Sequence, residues 1–147
     1  MIERLERELG GLARGLHHVA IAVPSLAAAR ATWIDALGLS ETEVEHVPDQ
    51  KVNVLVAYAG AQRIELVEPA VPDSPIAGFL AKRGGGLHHV ALRVDDVARA
   101  LERLRAAGLR LIDDAPRPGA HGTRVAFVHP SATGGVLVEL VEEPEKA

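Results

Sequence analysis

The sequence contains no cysteine, which removes disulfides, thiolate nucleophiles and cysteine-based zinc sites at once. It has no run of 18 or more apolar residues, so nothing in it is expected to span a bilayer. A phosphate-cradling glycine loop of the P-loop type is also missing. Cationic residues are in deficit: 16 Lys and Arg stand against 20 Asp and Glu, a formal net charge of −4. That balance argues against nucleic acid or an anionic membrane as partner. The opening MIERLERELGGLARG mixes Arg with Glu and lacks the continuous apolar stretch of a secretory signal. With the absence of cysteine, this favours a cytoplasmic protein. Ile2, Leu5, Leu9 and Leu12 suit a short amphipathic helix or a loose extension over residues 1–14.

What is present begins with an ordinary globular composition, 48% hydrophobic and 24% charged. A length of 147 residues suits one domain or two small modules sharing a core. The chain then repeats itself. GLHHVA stands at Gly15–Ala20 and again at Gly86–Ala91, an offset of 71 residues (18 to 89). IELVEP at Ile64–Pro69 returns as VELVEEP at Val138–Pro144, an offset of 74 (65 to 139). The second copy therefore carries three extra residues between its landmarks, most simply in a loop, and the repeat indicates an internal duplication.

Each half reads the same way. In His18–Val23, Val19, Ile21 and Val23 alternate with His18, Ala20 and Ala22, the pattern of a strand with a helix-facing side and a small-residue side. Ser25 is the expected N-cap of a following helix with Leu26, Ala29, Trp33 and Leu37 on its buried stripe before Gly38. In the second half Asp95 is the expected cap, Val97, Leu101 and Leu104 the stripe, and Gly108 the stop. Further strands are expected at Val52–Tyr58, Arg63–Val67, Arg124–Val128 and Val136–Val141, with one more per half at Glu41–Val47 and Leu109–Asp113. A linker helix opens at Ser74-Pro75 and ends in the glycines Gly84–Gly86. The expected fold is α+β: two tandem βαβββ modules, about 15–70 and 86–143, in one domain spanning 15–147, with the linker helix at about 74–85.

Two such units paired about a pseudo-two-fold axis would set equivalent residues face to face. His18 and His89 occupy the same place in each first strand, and Glu65 and Glu139 the same place in each last strand. A shared curved sheet would turn two imidazoles and two carboxylates into one central cavity, a shell suited to a divalent metal with room for substrate. Alone, each of the four would more simply be a hydrogen-bonding or solvated residue; occurrence in register on a small-residue face favours a metal role. By strand alternation His17 and His88 project to the opposite face and are assigned to packing or hydrogen bonding, not to the metal. His46 carries no signal, and Glu68 and Glu142 read as solvated.

The paired HHVA strands, the Glu-bearing strands and the duplication resemble the vicinal oxygen chelate superfamily. DSPIAGFLAKRGGGLHHVALRVDDV and RLIDDAPRPGAHGTRVAFVHPSATGGVLVEL resemble, more closely, its methylmalonyl-CoA epimerase family. The similarity runs from Gly15 to Val141. It implies metal binding by His18, Glu65, His89 and Glu139, with cobalt the usual ion and zinc, manganese or nickel acceptable to such donors. It implies interconversion of (2R)- and (2S)-methylmalonyl-CoA by α-proton abstraction through a metal-stabilised enolate. Glu139 is the candidate for one proton transfer. Some relatives carry a Glu in the strand where Asn53 stands here, so the second role passes to Glu65 or to a metal-bound water.

The resemblance also directs attention to the loop Gly119, Ala120, His121 and Gly122, whose N–H groups would meet a substrate carboxylate, although a plain glycine turn explains it equally well. Ser74 could touch substrate, with a helix cap the better assignment. Ser131 stands where relatives commonly have Lys, which would cost a contact to coenzyme A. His129 reads as structural, and Lys82 and Arg83 as a solvated helix end. The expected partners are an acyl-CoA substrate and a second copy of the chain, since exposed strand edges favour a homodimer. Alternatives are a glyoxalase-type, glutathione-dependent isomerase, which needs a similar metal quartet, and a non-catalytic small-molecule binder on the same fold. A dioxygenase is disfavoured because Glu65 would fill the position such enzymes leave open.

Overall fold

The computed structural model describes residues 11–145; the apolar spacing of Ile2, Leu5 and Leu9 lies outside them. Eight strands form one sheet: β1 (Gly15–Ala22), β2 (Ser40–Val47), β3 (Val52–Ala59), β4 (Gln62–Pro69), β5 (Gly86–Arg93), β6 (Arg117–Pro118), β7 (Arg124–Val128) and β8 (Val138–Glu142). Their order is β2-β3-β4-β1-β5-β8-β7-β6. The first half thus reads 2-3-4-1 from its edge inward, and the second repeats this as 6-7-8-5. β1 and β5 pair antiparallel at the centre, while β1–β4 and β5–β8 are parallel within their halves. The βαβββ duplication and the mixed sheet are therefore as the repeat predicts.

Helix α1 (Leu26–Arg30), helix α2 (Pro75–Arg83) and helix α3 (Val97–Ala106) complete the fold. Alternation sorts the core. Ile21 and Val23 pack with Leu26, Trp33, Leu55 and Leu66 on the helix side, whereas Ala20 and Ala22 join Val52, Val54, Val56, Val67 and Ile76 on the other. α3 covers the second half, with Val97, Ala100 and Leu101 against Ala126, Val128 and Leu140. No helix among the described residues is long and apolar enough to cross a membrane.

Several local expectations are corrected. Helix α1 passes into a π-helix at Ala31–Ala36, where Leu37 N–H donates to Thr32 O at 2.9 Å. The wider turn rotates the apolar stripe, so Leu37 is 60% exposed rather than buried. The cap of α3 is Asp96, not Asp95: its side chain accepts from Arg99 N–H. Leu109–Asp113 is no strand; only a lone bridge joins Leu111 to Val128, and the fourth strand of the second half is the two-residue β6.

Glu68 and Glu142, read as solvated, instead anchor helices. Glu68 accepts from Leu26 N–H at 2.7 Å, and Glu142 from Val97 N–H at 2.9 Å. Each last strand thus satisfies an orphan N–H at the start of its own half's helix, where a carboxylate also complements the helix dipole. The equivalence obeys the same offset as Glu65 and Glu139.

Candidate metal centre

The four central strands, β4-β1-β5-β8, carry Glu65, His18, His89 and Glu139 respectively. Cross-strand register explains how they meet. Ala20 stands beside both Glu65 and His89, and its repeat equivalent Ala91 stands beside both His18 and Glu139. Both alanines are 0% exposed. A larger side chain at either position would fill the space over which the polar groups converge. All four polar residues are buried and line one cavity of about 220 Å³.

His18 Nε2 lies 3.2 Å from Glu139 Oε1 and 3.3 Å from His89 Nε2, and His89 Nε2 lies 3.2 Å from Glu139 Oε1. The three atoms form a nearly equilateral triangle. Donors bound to one first-row dication at about 2.1 Å sit roughly 3.0–3.4 Å apart when adjacent. The observed spacing therefore fits a metal ion. Glu65 approaches from the other side of the His18 ring, with Oε2 3.1 Å from Nδ1. The structure thus joins three of the expected donors directly and places the fourth against one of them.

Electrostatics separates the two carboxylates. Burial and the neighbouring Glu139 charge push Glu65 up to about 8. Burial would raise Glu139 as well, but hydrogen bonds from His18 and His89 outweigh it and hold that carboxyl at about 2. Without an ion, one carboxyl is thus ionised beside one protonated; a bound dication would favour the ionised form of both. Burial also lowers His18, favouring a neutral imidazole with a lone pair to offer.

His17 and His88 do not face away from the cavity; both line it. The pairing of β1 with β5 shows why. Leu16 pairs with Leu92 but His18 with Ala91, and Ala20 pairs with His89 but Ile21 with Leu87. His17 and His88 are the unpaired extra residues of two β-bulges, which re-aim side chains and break simple alternation. Burial brings each down to about 4. His17 also contacts Glu143 and Arg63, and Arg63 Nε donates to Tyr58 Oη at 3.3 Å. Arg63 and Glu143, both on the cavity wall, had no signal in the repeat, because their equivalents are Leu137 and Pro69.

The remaining expected positions divide. Ala120 and His121 line the cavity, joined by Thr123, whereas Gly119 and Gly122 do not. His121 N–H already meets a carboxylate, that of Glu45 on β2, at 2.9 and 3.2 Å. Ser74 is not on the cavity wall; its hydroxyl caps α2 by accepting from Ile76 N–H at 3.2 Å. Asn53 points away from the cavity, donating to Glu68 Oε2 at 3.0 Å. A Glu at 53 would not reach the centre, and the inward residues of β3 are valines. His129 Nδ1 accepts from Ser131 N–H at 3.0 Å and stabilises a turn.

Gly119 has its own constraint. A Cβ there would lie 2.5 Å from Thr123 Oγ1 and 2.7 Å from Val125 Cγ1. Gly119→Ala should therefore displace the loop and cost about 1–3 kcal/mol, measured as a lower urea midpoint. An unchanged midpoint would show that the loop yields freely.

Comparisons with known proteins agree with this geometry. The family described as Glyoxalase/Bleomycin resistance protein/Dioxygenase superfamily matches residues 17–127. The mitochondrial methylmalonyl-CoA epimerase of Mus musculus is 44% identical over 85% of this chain and 71% of its own length. The crystal structure of methylmalonyl-CoA epimerase from Mycobacterium tuberculosis superposes with a TM-score of 0.87 at 38% identity, covering 92% of each chain. A methylmalonyl-CoA epimerase solved in complex with methylmalonyl-CoA and NH4+ gives a TM-score of 0.83 at 32% identity, over 90% of this chain and 96% of that one. With this fold, this buried His and Glu cluster and these similarities, the chain belongs to the glyoxalase/bleomycin resistance protein/dioxygenase superfamily and, within it, is a homologue of the methylmalonyl-CoA epimerases.

Proposed function

We propose that this protein is a metal-dependent epimerase that interconverts (2R)- and (2S)-methylmalonyl-CoA. One observation carries the chemistry. Glu65 and Glu139 come from opposite halves of the repeat and flank opposite nitrogens of His18, at 3.1 and 3.2 Å. Inverting a carbon acid needs one group to take the α-proton from one face and another to return a proton to the opposite face. Two buried carboxyls supply that pair, with Glu139 as base and Glu65 as acid in one direction and the roles reversed in the other.

His18, His89, Glu139 and Glu65 would hold the ion, which when bound supplies Lewis-acid stabilisation of the negative charge that develops on the thioester oxygen. Cobalt is the proposed ion, and the same nitrogen and oxygen donors also accept zinc, manganese or nickel. The chain's own part is to bind, orient and exclude water. Val52, Val67, Ile76, Phe127 and Val141 line the cavity around the acyl group and keep it dry, so the paired carboxyls act in a medium that strengthens them. The loop at Ala120–Gly122 forms the wall proposed to face the substrate carboxylate, which would replace Glu45 on the His121 N–H. A homodimer is the proposed assembly, tested by light scattering on the purified chain.

The functional test is proton NMR of (2R)-methylmalonyl-CoA in deuterated water with cobalt-loaded protein. The expected result is loss of the α-proton signal with appearance of the opposite epimer. A glutathione hemithioacetal serves as the control substrate; turnover of that compound alone would replace the epimerase with a glyoxalase-type isomerase.

A further inference from the structure

A four-residue centre uses only the second histidine of each HH pair, and leaves open why the dipeptide is repeated whole. The bulges turn both outer rings toward the inner ones. His17 Nδ1 lies 2.7 Å from His18 Nδ1, and His88 Nδ1 lies 2.8 Å from His89 Nδ1. The rings meet edge to face in both pairs, at 73° and 78°. Two imidazole nitrogens at that distance share one proton, so one ring donates and the other accepts. If His18 and His89 hold an ion through Nε2, as the proposed function requires, the proton of each neutral ring sits on Nδ1.

We propose that His17 and His88 are positioning residues that accept the Nδ1–H of His18 and His89, fixing the tautomer whose Nε2 lone pair faces the ion. The surroundings of each outer ring suit that role. The Glu143 carboxylate takes the Nε2–H of His17, which makes His17 Nδ1 the acceptor of that ring. Arg63 Nη1 also approaches this Nδ1, at 3.0 Å, and shares it with His18. His88 is held edge to face on Phe79, with centroids 4.9 Å apart. On His18 the Nδ1–H also has Glu65 within 3.1 Å, so His17 keeps that proton satisfied when Glu65 turns to the ion. Partners of this kind raise ligand basicity, and their loss typically weakens metal binding by about 10–100-fold.

The test is zinc titration against a chelating dye for the wild-type protein, His88→Phe and His88→Asn. Phe keeps a ring on Phe79 but offers no acceptor, and Asn restores an acceptor oxygen. The expected result is about 10–100-fold weaker zinc binding for His88→Phe, partly recovered in His88→Asn. In parallel, nitrogen-15 NMR of the histidine-labelled, zinc-loaded wild-type protein should place protons on Nδ1 of His18 and His89, and none on Nδ1 of His17 and His88. Wild-type affinity in His88→Phe, or a proton on His88 Nδ1, overturns the proposal; should His88→Phe fail to fold, the NMR result decides. A wild-type protein that takes up no zinc would overturn the metal centre itself, a different outcome from tight zinc binding that ignores His88.

Discussion

Glu139→Gln is expected to abolish inversion of methylmalonyl-CoA from either epimer, with turnover falling by roughly 10²–10⁴-fold, the span of general acid–base catalysis. Glu139 is 4% exposed, and its Oε1 lies 3.2 Å from Nε2 of both inner histidines. The amide retains the shape and one acceptor oxygen but can neither take a proton nor carry the carboxylate's charge. Exchange of the α-proton with solvent deuterium should vanish for the epimer whose proton faces position 139. Glu65 remains to serve the other face, so slow exchange without inversion can persist there. Circular dichroism should be that of the wild type, because β8 keeps its pairing with β5 and β7. Undiminished inversion would remove Glu139 from the proton-transfer role.

His89→Ala should eliminate tight metal binding and turnover together. Its Nε2 forms two sides of the donor triangle, at 3.2 Å to Glu139 and 3.3 Å to His18. Without it the remaining donors are one imidazole and two carboxylates, and affinity should fall by more than about 100-fold, beyond the loss usual for a supporting partner. The truncation also leaves Glu139 with one hydrogen-bond donor instead of two, so the metal-free variant should be less stable as well. Metal content measured after dialysis separates the cases: wild-type content with lost activity would place His89 outside the ion's shell.

Much of the fold could be read from two spacings. The repeats of GLHHVA, offset by 71 residues, and of the Glu-bearing strands, offset by 74, imposed equivalent roles, and the sheet order repeats from each edge inward. Period-two alternation sorted Ala20, Ala22, Ile21 and Val23 to their observed sides. It failed at His17 and His88 because a bulge inserts a residue that alternation does not count. Leu37 was misplaced for a related reason: a π-turn also adds a residue, this time to a helix. The anchoring by Glu68 and Glu142 depends on how strand ends approach helix starts, a tertiary relation that spacing along one element does not encode. Arg63 and Glu143 escaped because the duplication has diverged at those positions. Convergence on the cavity was legible at the four equivalent donors, and hidden at His17 and His88 by the bulges and at Arg63 and Glu143 by divergence of the copies.

The claim on which the rest depends is that both halves of the repeat grip a single ion. Anomalous diffraction from crystals grown with cobalt tests it most directly. The account predicts one cobalt peak per chain, bonded to the Nε2 atoms of His18 and His89 and to carboxylate oxygens of Glu139 and Glu65. Peaks confined to surface carboxylates, with the cavity between β1 and β5 empty at saturating cobalt, would contradict it.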